Sequence, residues 1–152
     1  MRNIFFFAAI ILISQTTLLA QKTATWKGGT PGHSSDWNCP VNWSEGRVPN
    51  EFSKVIIPDG ANFYPVIKGI ETPIDALLME AGAKLSIQPG SRLTVLGETG
   101  IFDGIILLGL IENNGTLELG KEVNVQTAYL NQVHGKGILV YPSASTNSLA
   151  KR

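Results

Sequence analysis

Apolar and polar positions divide this chain into regions of different texture. Ile4 to Ile13 is an unbroken apolar run, preceded by Arg2 and followed by polar Ser14–Thr17 and then Leu18-Leu19-Ala20. A charged start, a short apolar stretch and a small residue before Gln21 describe a secretory signal peptide over 1–20, cleaved after Ala20. The run is too short for a membrane anchor, which needs about 20 apolar residues. From Pro31 to Pro73, prolines recur every seven to nine residues. They exclude continuous helix and favour short extended pieces, of which Val55-Ile56-Ile57 and Tyr64-Pro65-Val66-Ile67 are the clearest. From Gly82 onward the punctuation is glycine. Ser143–Arg152 is polar and aperiodic, so 142–152 reads as a flexible tail.

An internal repeat organises the middle of the chain. Leu77, Leu85 and Leu93 are eight residues apart, as are Met79, Ile87 and Val95, and Gly82 and Gly90 stand in the intervening turns. Each unit is an apolar-x-apolar strand whose period-two alternation puts both apolar side chains on one face. The first unit has a rival reading. Thr72-Pro73-Ile74-Asp75 resembles a helix N-cap with proline in the first turn, and Gly82 a helix stop. The match to two units that cannot be helical decides for strand. Further units follow at Thr116–Leu119, Val123–Val125 and Ile138–Val140. Val95 to Leu117 is 22 residues and Leu117 to Ile138 is 21, about three short strand-turn units, or one coil of a triangular parallel β-solenoid. The alternative is an antiparallel β-sandwich built from tight hairpins, although Asn-Gly occurs only at Asn114-Gly115. The expected core is Val55, Ile57, Val66, Leu77, Met79, Leu85, Ile87, Leu93, Val95, Leu117, Leu119, Val123, Val125, Ile138 and Val140.

Composition sharpens this picture. All 16 glycines and 8 prolines of the 152 residues lie after the leader, a combined share above the usual 12% or so. Without Arg2 the balance is 11 basic to 12 acidic residues, and no basic cluster offers a footprint for nucleic acid or an anionic membrane. The lone Cys39 cannot form an internal disulfide, so the exported domain must hold together by packing. That thiol is a candidate for intermolecular pairing, with an inert thiol as the alternative.

Trp26, Trp37 and Trp43 fall within 18 residues. A solenoid exposes an apolar end and an open strand edge at its first coil, and needs a cap there. Large aromatics with Asn and Asp beside them suit that task over 21–50, ahead of solenoid coils over 51–141. The segment reads Trp26-Lys27-Gly28, Asp36-Trp37, Asn42-Trp43-Ser44 and Val48-Pro49, followed by Val55–Pro58, Tyr64–Ile67, Leu93-Thr94-Val95 and Asn114–Leu117. In this order the motifs resemble a recurrent module of bacterial secreted surface proteins, over about Thr25 to Tyr141. The resemblance implies a right-handed parallel β-helix in an exported protein, used as a stalk, passenger segment or adhesin piece.

Chemistry is sparse. His33, His134 and Cys39 lack metal-ligand spacing, and no metal or cofactor is expected. No G-x-S-x-G element or P-loop is present. Asp36, Glu45, Asp59, Asp75, Glu80, Glu112, Glu118 and Glu122 make a polysaccharide lyase or hydrolase the least favoured alternative, since outward carboxylates ordinarily serve solubility. Trp37 with Asp36 and Asn38 offers an aromatic face beside amide and carboxylate groups, so a carbohydrate-binding module is the second reading, in competition with a purely structural role for the indoles. The sequons at Asn42 and Asn114 matter only in a eukaryotic secretory route. The leading expectation is an exported, non-enzymatic structural or adhesion module of the bacterial cell surface or extracellular space. Its partners would be surface glycans or other surface proteins, with no nucleic acid and no membrane insertion of the mature chain.

Overall fold

The computed structural model describes residues 22–100 and 104–142. The expected leader over 1–20, and all of the expected tail beyond Pro142, lie outside them. The described chain winds into a parallel β-solenoid of about four coils, with three sheets of four strands each. The antiparallel sandwich is excluded, because every strand pairing is parallel.

The coils follow the chain. β1 (Lys22–Thr25) opens the first sheet, and a loop that includes a single 3-10 turn at Pro40–Asn42 leads onward. The next coil carries β2 (Ser53–Ile57), β3 (Val66–Ile67) and β4 (Glu71–Ile74), one on each of the three faces. Then come β5 (Ala76–Met79), β6 (Lys84–Ile87) and β7 (Arg92–Val95), and after them β8 (Ile105–Leu107), β9 (Leu110–Asn113) and β10 (Thr116–Leu119). The last coil has a one-turn helix α1 (Thr127–Leu130), β11 (Val133–His134) and β12 (Ile138–Val140). The eight-residue repeat is thus the three sides of one coil, with Leu77 on β5, Leu85 on β6 and Leu93 on β7.

Stacking follows from register. Ala24, Val55, Leu77 and Ile105 form one inward column, and Leu93 continues to Leu117 and Leu139. Each coil therefore buries its apolar side chains on those of the coil before it, while its backbone groups bond to that coil. At some corners this close stacking leaves no room for a side chain. A side chain on Gly115 would meet the carbonyl oxygens of Gln88 and Ser91 at 2.5 Å.

The rival helix over Thr72–Gly82 does not form. Thr72 and Ile74 point inward on β4, and Pro73 points out. Among the described strands β4 pairs only with β7, so Pro73 lies at a sheet edge, where a missing N–H is tolerated. Asp75 turns the corner into β5 and accepts hydrogen bonds from the backbone N–H and the hydroxyl of Thr99, one coil below. The acidic residue that suggested a helix start instead ties two coils together.

Several expected core positions are corrected. Val66 faces outward and Ile67 is buried. Ile138 and Val140 are exposed, because pairing of β12 with β10 sets Leu139 opposite Leu117. Val125 is only partly buried, and 123–125 forms no strand. Instead, Val123 fills the space beside Gly97 and Gly104, where a side chain on either glycine would lie 2.8 Å from its methyl group.

Candidate functional site: the indole-closed end and the second face

The N-terminal end is built on the three tryptophans. Trp26 extends β1, with its N–H donating to Ile56 and its backbone bridging antiparallel to Trp43. Trp43 stands between the other two indoles, edge-on to Trp26 at 5.0 Å and to Trp37 at 4.8 Å. Such edge-to-face pairs add about 0.5–1.5 kcal/mol each beyond their burial. Trp26 Nε1 donates to the Phe63 carbonyl at 2.7 Å and Trp43 Nε1 to the Trp37 carbonyl at 2.8 Å. Trp37 Nε1 is buried without a partner. Gly28 is required beside them, since it adopts φ +62 and a side chain there would sit 2.6 Å from the Phe63 carbonyl.

Asn42 holds the loop over this cluster. Its buried amide donates to the carbonyls of His33 and Asp36 at 2.6 and 2.9 Å, and its oxygen accepts from Thr30 N–H at 3.1 Å. Its backbone carbonyl accepts from Lys27 and Gly28. Glu45 adds a bond to Thr25 N–H at 2.9 Å. The general expectation of amide groups satisfying the end of the solenoid thus comes down to one residue. Its signal was present in Asn42-Trp43-Ser44, although nothing in that motif said which backbone groups it would meet.

The residues expected to hold a sugar are separated by this geometry. Trp37 is 0% exposed, so neither face of its ring is open to stacking and no aromatic platform forms there. Asp36 and Asn38 remain on the surface, with Asn38 N–H donating to Asp36 Oδ1 at 2.9 Å. The sequence did not connect His33 with Asp36, yet His33 Nδ1 lies 3.5 Å from Asp36 Oδ2. His134 is far away on β11, with its ring against the Asn131 carbonyl. Cys39 is half-exposed with a free thiol. Among the described residues no group of three or more His, Cys, Asp or Glu could hold a metal ion, and no helix is long and apolar enough to cross a membrane.

The outer surfaces of the three sheets differ in chemistry. On the first, Thr25, Ile56, Leu78 and Ile106 stand in register as a half-buried, mostly apolar column. On the third, Arg92 bonds Glu118 at 2.6 Å and lies 3.9 Å from Glu71, so its charges are paired across coils. On the second, Asp36, Val66, Ser86, Glu112 and His134 form the outward column. A depression of about 410 Å³ opens at its upper end, lined by His33, Ser34, Ser35, Asp36, Val66 and Lys68 together with Gly32. A second, of about 160 Å³, adjoins it through Val66 and includes Tyr64, Lys84, Ser86 and Glu112.

No curated protein and no solved structure matches the chain. Residues 25–140 match the profile of a family described as a domain of unknown function, DUF8693, and the chain belongs to that family.

Proposed function

We propose that the protein is an exported, non-enzymatic structural or adhesion module of the bacterial cell surface or extracellular space. The observation that carries this reading is how the stack uses its residues. Inward positions form one continuous apolar core from Ala24 to Val123, and the outward positions of three strand faces are left for contact. The carboxylates support a structural use. Glu71 and Glu118 face Arg92, Asp75 holds Thr99, Glu45 holds Thr25 N–H, and Glu80 Oε2 accepts from Asp59 N–H. The signal-peptide pattern of residues 1–20 supplies the export route, and the order of the tryptophan, proline and glycine motifs supports a module of the secreted surface type.

Export is tested by expressing the full chain in a bacterial host, fractionating the cells and sequencing the N-terminus of the product. The expected result is a surface or extracellular form beginning at Gln21. An uncleaved form confined to the cytoplasm would overturn the reading.

A further inference from the structure

We propose that the outward column of the second face is a binding strip for a short, neutral saccharide chain, a reading that rests on the adhesion role and names its ligand class. The two adjoining depressions share Val66 and follow the solenoid axis. With strands about 4.8 Å apart, the steps from Asp36 through Val66 and Ser86 to Glu112 span about 14 Å, the scale of a few linked rings.

The chemistry of the strip selects the ligand. Asp36 and Glu112 supply acceptors, while Lys68 and Lys84 supply donors. Two carboxylates against two ammonium groups give no net charge, which disfavours a polyanion or polycation. Among the described residues neither lysine has a carboxylate partner, unlike Arg92 on the third face. The hydroxyls of Ser34, Ser35 and Ser86 each donate and accept, as does every hydroxyl of a sugar. Val66 gives the strip an apolar floor, and Tyr64 provides a partly exposed ring beside it. Val66 is among the expected core residues, yet its outward side chain is what joins the two depressions.

The upper end is also preorganised. Asn42 fixes the carbonyls of His33 and Asp36, Val66 N–H donates to Ser35 and Trp37 N–H donates to Val66. The loop that presents His33, Ser34, Ser35 and Asp36 is thus held before any ligand arrives, which lowers the ordering cost of binding.

The test is titration of the ¹⁵N-labelled chain with cellotriose, maltotriose, mannotriose and chitotriose, followed by backbone amide shifts. At least one trisaccharide should produce saturable shifts clustered at Asp36, Val66, Ser86 and Glu112. Lys68→Ala and Glu112→Ala, both exposed, should each weaken binding at least ten-fold, and Arg92→Ala should leave it unchanged. Absence of saturable shifts with all four sugars, or unchanged affinity in the Lys68→Ala, Glu112→Ala double variant, would overturn the strip. Either result in an exported chain leaves the adhesion reading intact, whereas retention in the cytoplasm removes that reading and not the strip.

Discussion

The two ends of the described stack are finished differently. At the N-terminal end three indoles are buried to within 1% and Asn42 satisfies the loop above them. Segment 43–50 lies along β1, with Ser44 N–H donating to Thr25 and Glu45 accepting from it. In the last coil the inward residues Val133 and Leu139 are only partly buried, and Ile138, Val140 and Tyr141 are exposed. A solenoid coil gains its stability from its neighbours. The comparison shows that a loop can take the place of a missing neighbour when it brings large apolar rings and an amide that ties its own turns together.

Substitutions at the two ends should therefore differ in cost. Trp43→Ala has the largest expected effect, because it removes the central indole of both ring contacts and leaves the Trp37 carbonyl without its donor. A loss of about 3–5 kcal/mol is expected, enough to unfold a marginal domain. Chemical denaturation followed by circular dichroism would show it, and a near-native midpoint would break the comparison. Asn42→Ala should cost less, about 1–3 kcal/mol, since it removes three hydrogen bonds that tie the loop together and leaves Thr30 N–H without its acceptor. The His33 and Asp36 carbonyls keep the N–H groups of Asp36 and Cys39. Asn42→Asp sharpens this test: it retains the acceptor for Thr30 N–H but loses both donors, so its midpoint should still fall. At the other end, Ile138→Lys should change stability by no more than about 0.5 kcal/mol, as for an exposed surface site. A loss comparable to that of Asn42→Ala would mean that Ile138 is covered.

The parts of this fold that could be read in the sequence are those where alternation is unambiguous. Leu85-Ser86-Ile87 and Leu93-Thr94-Val95 separate inward from outward residues by polarity alone, and both sit as expected. Val66-Ile67 and Ile138-Leu139-Val140 are apolar throughout, so alternation cannot choose a face and only the register with Ile87 and Leu117 decides. Ile105 and Leu107 were missed for another reason. Leu77 pairs with Ile105 28 residues later, whereas Val55 pairs with Leu77 after 22, so an enlarged corner hides the repeat at that strand.

The candidate site was legible to a similar degree. Clustered tryptophans pointed to an end cap, but the same residues beside Asp36 and Asn38 also suggested a sugar platform. Composition cannot separate a buried ring from an exposed one. The alternation around Asp36 does so in three dimensions, since Asp36 bridges to Val66 on the outside and Trp37 turns inward. The pairing of His33 with Asp36 is a local contact across one turn of the loop, whereas the approach of Lys68 to them depends on coil stacking, which no local motif records.

Native-state hydrogen exchange tests the difference between the two ends most directly. The account predicts that the amides of Trp26, Asn42, Trp43 and Ser53 exchange only through global unfolding, while those of Ile138 and His134 exchange through local opening of the last coil. Equal protection at both ends, or faster exchange at Trp26 and Trp43 than in the last coil, would contradict it.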